Sequence, residues 1–117
     1  MDDPYFAYGS NMNLAQMASR CPGAKLGEQV HLPDWRYFIN GNGYAGIEEF
    51  SGGLVHGCLW SLLPQHWEAL DQYEGVAGGY YDKKKIEVIS CRSGERLLVW
   101  VYLLSLIHIS EPTRRTI

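Results

Sequence analysis

The segment RLLVWVYL, residues 96–103, is the strongest indication of the fold. Successive side chains of a β-strand point to opposite faces of its sheet, and this segment is apolar on both faces. One face carries Leu97, Val99, Val101 and Leu103, and the other carries Leu98, Trp100 and Tyr102. An apolar pattern on both sides is typical of a strand in a central position, covered above and below. We therefore predict a sheet built around this segment.

Other strand patterns lie on the N-terminal side of this segment. Apolar and aromatic runs predict strands at residues 5–8, 30–40, 44–50, 54–62 and 81–91. Pro33 should interrupt one of them, and Ser51-Gly52-Gly53 should form a turn that joins the strands at 44–50 and 54–62. In residues 81–91, Ile86 and Val88 alternate with charged residues, which indicates a strand with one buried face.

Two helices complete the predicted fold. The first covers residues 14–20, with Asn13 as its N-cap, Gln16 in a capping-box-like position and Cys21-Pro22-Gly23 ending it. The second begins near Pro64, a residue that is well tolerated at the first helical position. The predicted class is α+β: a mixed, mostly antiparallel sheet or small barrel with two helices packed on it.

Glu74 is the first candidate for chemistry. On a helical wheel with Trp67 at zero, Leu70 lies near ~300° and Glu74 near ~340°, inside the apolar stripe. Burial raises the pKa of a carboxyl group, so Glu74 would suit a general base near neutral pH. Alternatively, the helix ends at Tyr73 with Gly75 as its C-cap, and Glu74 is an ordinary residue of a fraying end.

A possible anion site precedes the first helix. Tyr8-Gly9-Ser10-Asn11 reads as the end of a strand that turns into a helix, with Gly9 allowing a sharp bend. The N–H groups of such a turn bind anionic oxygens well. A cradle for anions and a buried carboxylate together indicate acid–base chemistry on a small molecule that carries a carboxylate.

Four segments, in order, resemble the γ-glutamylcyclotransferase family. They are YFAYGSNM at 5–12, GCLW at 57–60, LDQYEGV at 70–76 and GYY at 79–81. The resemblance runs over residues 4–103 and is specific for the superfamily rather than for one substrate. It implies the α+β fold of that family and an enzyme that converts a γ-glutamyl amine or amino acid to 5-oxoproline and the free amine.

The resemblance also implies site residues. Glu74 is the implied catalytic acid and base. The implied substrate-binding residues are Tyr8, Gly9, Ser10, Asn11, Met12 and Tyr81. No cofactor is expected, because ring closure within one bound molecule already avoids much of the entropic cost of reaction.

We interpret the last residues of the chain as a segment that is not part of the family domain. LSLIHISEPTR, residues 104–114, resembles the translation of a common sequencing adapter. We therefore expect one family domain at 1–103, incomplete at its C-terminus, and a non-native tail at 104–117. The alternative is that residues 104–109 extend the preceding strand.

Composition excludes several classes of protein. The formal net charge is −3 and no basic cluster is present, which argues against a nucleic-acid partner. The apolar run at 97–109 is too short to span a bilayer. Three widely spaced cysteines favour free thiols in a cytoplasmic protein, and the histidine spacing suggests no metal site. The expected partner is a small γ-glutamyl substrate. Two rival functions remain: a non-catalytic binding module of the same fold, and an inactive gene fragment.

Overall fold

The described part of the chain forms six strands and two helices. The computed structural model describes residues 4–9, 13–41, 43–76 and 78–104, together with the backbone of 115 and 116. The elements are β1 (Tyr5–Ala7), α1 (Leu14–Arg20), β2 (Lys25–Ile39), β3 (Ala45–Ser61), α2 (Pro64–Tyr73), β4 (Tyr81–Ser90), β5 (Arg96–Leu104) and β6 (Arg115–Thr116).

Five of these strands close into a barrel. Their order is β3-β1-β5-β4-β2, and the ring closes because β2 also pairs with β3. The β1–β5 pairing is parallel, whereas β1–β3, β2–β3, β2–β4 and β4–β5 are antiparallel. The predicted α+β class with a mixed, mostly antiparallel barrel is therefore confirmed, as is the interior position of β5 between β1 and β4.

The two faces of β5 belong to different apolar clusters. Val99 and Val101 pack in one cluster with Phe6 of β1 and Val30 of β2. Tyr102 and Leu104 pack in the other, which includes residues of both helices such as Met17, Trp67 and Leu70. Because both faces bury apolar side chains, β5 contributes to the barrel core and to the layer that holds the helices.

Helix α1 has the predicted bounds. Asn13 is its N-cap and its side chain accepts a hydrogen bond from the Gln16 N–H at 3.0 Å. Helix α2 begins at Pro64, as predicted, and ends at Tyr73. No described helix combines the length and the apolar character needed to cross a bilayer.

Buried His66 joins the two helices. The Leu63 N–H donates to His66 Nδ1 at 3.0 Å, so this nitrogen accepts. The proton is therefore on Nε2, which donates to the Pro22 carbonyl at 2.6 Å. These bonds fix the start of α2 against the chain that follows α1.

The prediction of a turn at residues 51–53 is wrong. β3 runs without interruption from Ala45 to Ser61, and both of its halves pair with β2 rather than with each other. The register moves from Pro33–Leu54 to Trp35–Glu49, so a bulge opposite Asp34 accommodates the extra residues. Gly53 is required there, because a Cβ would lie 2.3 Å from the Trp35 carbonyl oxygen.

The ends of two predicted strands also differ from the structure. β2 begins at Lys25 rather than near Val30. Leu104, which we assigned to the non-native tail, continues β5 opposite Tyr81 and is buried. Residues 105–114 and 117 of that tail lie outside the described residues, and Arg115–Thr116 pairs with β2 at Ile39 and Phe38.

Candidate active site

The end of α2 positions Glu74. The Glu74 N–H donates to the Leu70 carbonyl at 2.8 Å, so Glu74 caps the helix. Gly75 follows with φ of 68°, and the Val76 N–H donates to the Asp71 carbonyl at 3.0 Å. This is a Schellman ending, which needs a left-handed residue after the cap and here uses glycine. The helix boundary thus follows our alternative prediction, yet Glu74 is partly buried rather than frayed.

A cavity of about 80 Å³ lies beside Glu74, at one end of the barrel. At this end β1 and β5 finish while β3 and β4 begin, so four strands contribute to its wall. The lining residues are Tyr5, Tyr8, Gly9, Ala45, Glu74, Tyr81 and Tyr102. The four tyrosines are all buried.

The tyrosine hydroxyls are tied to protein oxygens. Tyr8 donates to the Tyr102 carbonyl at 2.6 Å, and Tyr81 donates to the Ala45 carbonyl at 2.5 Å. Tyr102 donates to Asp71 Oδ1 at 2.5 Å. Since a hydroxyl has one proton, a bound molecule would meet these oxygens as acceptors rather than as donors.

Burial controls the electrostatics of the cavity. Removal from water raises the pKa of Glu74 from 4.5 to about 7, and the positive charge of Arg20 opposes part of that rise. Burial is also the main cause that raises the pKa of Tyr8, Tyr81 and Tyr102. The tyrosines therefore stay neutral near pH 7, while Glu74 can both take and return a proton there.

Arg20 approaches the site from the last turn of α1. Its guanidinium lies 3.6 Å from the centre of the Tyr73 ring and donates a hydrogen bond to the Tyr73 hydroxyl. Tyr73 immediately precedes Glu74 in the chain. The contact therefore connects α1 to the end of α2 and brings a cation near the carboxylate.

The structure brings together some of the residues that the sequence proposed. Tyr8, Gly9, Tyr81 and Glu74 line the same cavity. Ser10, Asn11 and Met12 lie outside the described residues. The chain bends at Gly9, but its φ is outside the left-handed region and a Cβ would meet no described atom within 4 Å. Neither observation requires a glycine at the bend, and the role of Gly9 in the turn stays a prediction.

Sequence reasoning missed four residues of the site: Tyr5, Ala45, Tyr102 and Arg20. Tyr5 and Tyr102 carry aromatic side chains on apolar strands, where packing is the ordinary reading. Ala45 contributes a backbone carbonyl, which has no sequence signal at all. A basic residue in the last turn of α1 was visible, but it is also a common way to complement a helix dipole.

Metal ligands are not grouped in the described part of the chain. No set of three or more His, Cys, Asp or Glu side chains is arranged there to hold a metal ion. The described thiols of Cys21, Cys58 and Cys91 are free, and burial raises the pKa of Cys21 and Cys58.

Comparison with known proteins identifies the family. The family described as "Gamma-glutamyl cyclotransferase, AIG2-like" matches residues 5–116. The chain belongs to this family. The gamma-glutamylcyclotransferase of Mus musculus is 29% identical over 119 aligned residues, which cover 93% of this chain and 63% of the mouse protein. The chain thus spans less than two thirds of that relative.

Solved structures of similar proteins share the fold of this family member. One called "Gamma-glutamyl cyclotransferase" superposes with a TM-score of 0.81 at 27% identity, covering 90% of this chain and 68% of the other. A crystal structure of an uncharacterized protein from Homo sapiens gives 0.81 at 28% identity, covering 89% and 67%.

Proposed function

We propose that this protein is a γ-glutamylcyclotransferase-like enzyme. It converts a γ-glutamyl amine or γ-glutamyl amino acid to 5-oxoproline and the free amine, with Glu74 as the general base and acid. The observation that carries the proposal is the partly buried carboxylate of Glu74, whose pKa is raised to about 7 in a cavity lined by tyrosines. Membership of the family and the name of its mouse relative support the same reaction.

The proposed reaction begins with a proton transfer. The α-ammonium group of the substrate is protonated near neutral pH and cannot attack until it gives one proton to ionised Glu74. Before this step, the hydroxyl oxygens of Tyr8 and Tyr81 would hold the ammonium group in place, because their own protons are donated elsewhere and their lone pairs can accept from it.

Ring closure then forms one bond and breaks another. The freed α-nitrogen attacks the γ-carbonyl carbon, a C–N bond forms, and the carbonyl oxygen gains negative charge. When the intermediate collapses, the original amide C–N bond breaks and Glu74 returns its proton to the leaving nitrogen. Glu74 then takes the second proton from the ring nitrogen and passes it to the departing amine, which leaves the neutral lactam of 5-oxoproline. We propose that N–H groups of the turn at Gly9, Ser10 and Asn11 stabilise the substrate carboxylate or the developing oxyanion.

Replacement of Glu74 by glutamine tests the proposal. Glutamine has nearly the same volume but cannot take the proton, so 5-oxoproline release from γ-glutamyl-alanine should fall by roughly 10²–10⁴-fold. Glu68→Gln is the matched control, because Glu68 is an exposed carboxylate on the same helix. Circular dichroism of all three proteins checks that the fold is retained.

Two results would contradict the proposal. Comparable turnover by the unaltered chain and Glu74→Gln would rule out Glu74 as the base. Binding of γ-glutamyl-alanine by the unaltered chain without 5-oxoproline release would instead favour a non-catalytic binding module.

A further inference from the structure

A second and wider depression adjoins the cavity and shares part of its lining. Its volume is about 570 Å³, compared with about 80 Å³ for the cavity. Ala45, Glu74 and Tyr81 line both spaces, so the carboxylate of Glu74 lies at the boundary between them. We call the wider space the tyrosine groove, because Tyr44, Tyr73 and Tyr80 form its outer part.

The outer tyrosines present aromatic surface to solvent. Tyr44 and Tyr80 are each 38% exposed and Tyr73 is 57% exposed. The rings of Tyr44 and Tyr80 lie 5.3 Å apart between centroids, at an interplanar angle of 54°. Exposed aromatic rings next to a catalytic carboxylate offer stacking and apolar contact to a bound molecule.

The charge beside the groove distinguishes between possible occupants. Tyrosine rings attract aromatic groups and also cations. The Arg20 guanidinium already lies 3.6 Å from the centre of the Tyr73 ring, so one cation is present at this wall. A second cation would be repelled at this wall, whereas the Glu74 carboxylate lies at the inner end of the groove. The outer part of the groove therefore favours a neutral aromatic or apolar occupant over a cationic one.

The two spaces suit the two halves of a γ-glutamyl substrate. The γ-glutamyl half is the same in every substrate and must fold into a five-membered ring, so a small enclosed space fits it. The amine that leaves varies in size and must depart to solvent, so a wide open space fits it. Glu74, between the two, would lie next to the bond that breaks.

We propose that the tyrosine groove binds the leaving amine, and that the preferred substrates are γ-glutamyl derivatives of amino acids with aromatic or large apolar side chains. This assignment rests on the proposed function. It adds the chemical class of the leaving group, which the sequence motifs do not specify.

The first test compares three γ-glutamyl substrates on the unaltered chain. We expect kcat/KM for γ-glutamyl-phenylalanine to exceed that for γ-glutamyl-alanine by roughly tenfold, from ring stacking and added apolar contact. γ-Glutamyl-lysine, linked through its α-nitrogen and bearing a cationic side chain, should be the poorest of the three.

Substitution of Tyr44 is the second test. The Tyr44 N–H donates to Asn40 Oδ1 and its carbonyl accepts from the Asn40 N–H, each at 2.9 Å, so these backbone bonds survive a change of side chain. Tyr44→Ala should lower the preference for phenylalanine over alanine several-fold, whereas Tyr44→Phe keeps the ring and should keep the preference. Phe50→Ala, on an exposed ring at the distant β3 bulge, is the surface control.

The outcomes distinguish a failure of the groove assignment from a failure of the proposed function. Release of 5-oxoproline from both dipeptides with equal kcat/KM would overturn the groove assignment and leave the proposed function intact. A preference for phenylalanine that Tyr44→Ala leaves unchanged would also overturn it. If the unaltered chain releases 5-oxoproline from none of the three substrates, the proposed function fails and the groove assignment fails with it.

Discussion

At the scale of single residues, opposing effects set the proton affinity of Glu74. Loss of water raises its pKa, and the charge of Arg20 lowers it, with the balance at about 7. Burial is the larger effect, because buried tyrosines surround the cavity. Their hydroxyl protons are donated to other oxygens and so do not stabilise the ionised carboxylate. A carboxyl group poised near 7 can accept a proton and return it at neutral pH.

This balance predicts a pH profile. Glu74 must be ionised to act as the base, so kcat/KM should rise with pH through an inflection near 7. Arg20→Gln removes the charge that favours the ionised form, so the inflection should move to higher pH, by roughly one unit at most. The measurement is the acidic limb of the kcat/KM profile for γ-glutamyl-alanine.

Arg20→Lys is the control for that experiment, because lysine keeps the charge but loses the planar stacking on Tyr73. Its inflection should stay close to that of the unaltered chain. If Arg20→Gln lowers the plateau without moving the inflection, Arg20 acts through its contact with Tyr73 and not through its charge.

At the scale of elements, the last turn of α2 is attached to the barrel through Asp71. Asp71 Oδ1 accepts from the Tyr102 hydroxyl of β5, and Asp71 Oδ2 pairs with Lys83 of β4 at 3.1 Å. The backbone carbonyl of Asp71 accepts from the Val76 N–H, which completes the helix ending around Glu74. One residue therefore ties the position of Glu74 to two strands.

We predict that Asp71→Ala weakens both stability and activity. Loss of two charge-assisted contacts should lower the free energy of unfolding by about 1–2 kcal/mol, a value reduced for partial exposure. Turnover of γ-glutamyl-alanine should fall about tenfold or more, because small displacements of a catalytic group are costly. Thermal melting and kcat measure the two effects.

Asp82→Asn serves as the control, since Asp82 is an exposed carboxylate on β4. Asp71→Asn should recover part of the loss, because its amide oxygen can still accept from Tyr102. Wild-type melting and turnover in Asp71→Ala would mean that apolar packing and the helix ending suffice to hold Glu74.

At the scale of the whole molecule, closure of the barrel assembles the cavity. The hydrogen bond from Tyr8 to Tyr102 joins residues 94 positions apart. It forms because β1 lies between β3 and β5, so the ends of β1 and β5 meet. The start of β3 and the start of β4 reach the same end of the barrel because each runs antiparallel to its neighbours.

The prediction for the whole molecule concerns the residues that follow Leu104. The non-native origin of the tail stays a prediction. Its start moves past Leu104, because that residue completes β5, and the family match itself continues to residue 116. Chains of residues 1–104 and 1–117 should melt cooperatively at similar temperatures. Loss of the cooperative transition on truncation would mean that the pairing of Arg115–Thr116 with β2 is integral to the fold.

The local elements of the fold could be predicted from short windows of sequence. Alternation at residues 96–103 predicted the interior strand, Asn13 and the Cys21-Pro22-Gly23 segment predicted the limits of α1, and the helical wheel placed Glu74 on an apolar stripe. These features depend on side-chain periodicity and on the backbone preferences of neighbouring residues, which a short window contains. The ordered motifs also carried the resemblance that the family match confirmed.

The contacts between distant residues depend on the folded arrangement of the strands and helices. No local pattern indicated that both halves of β3 would pair with β2, and the glycines at 52 and 53 pointed to a turn instead. The roles of Tyr102, Arg20 and the Ala45 carbonyl likewise depend on strand and helix partners far away in the chain. The pKa of Glu74 depends on the water that those partners exclude, and this exclusion exists only once the barrel has closed.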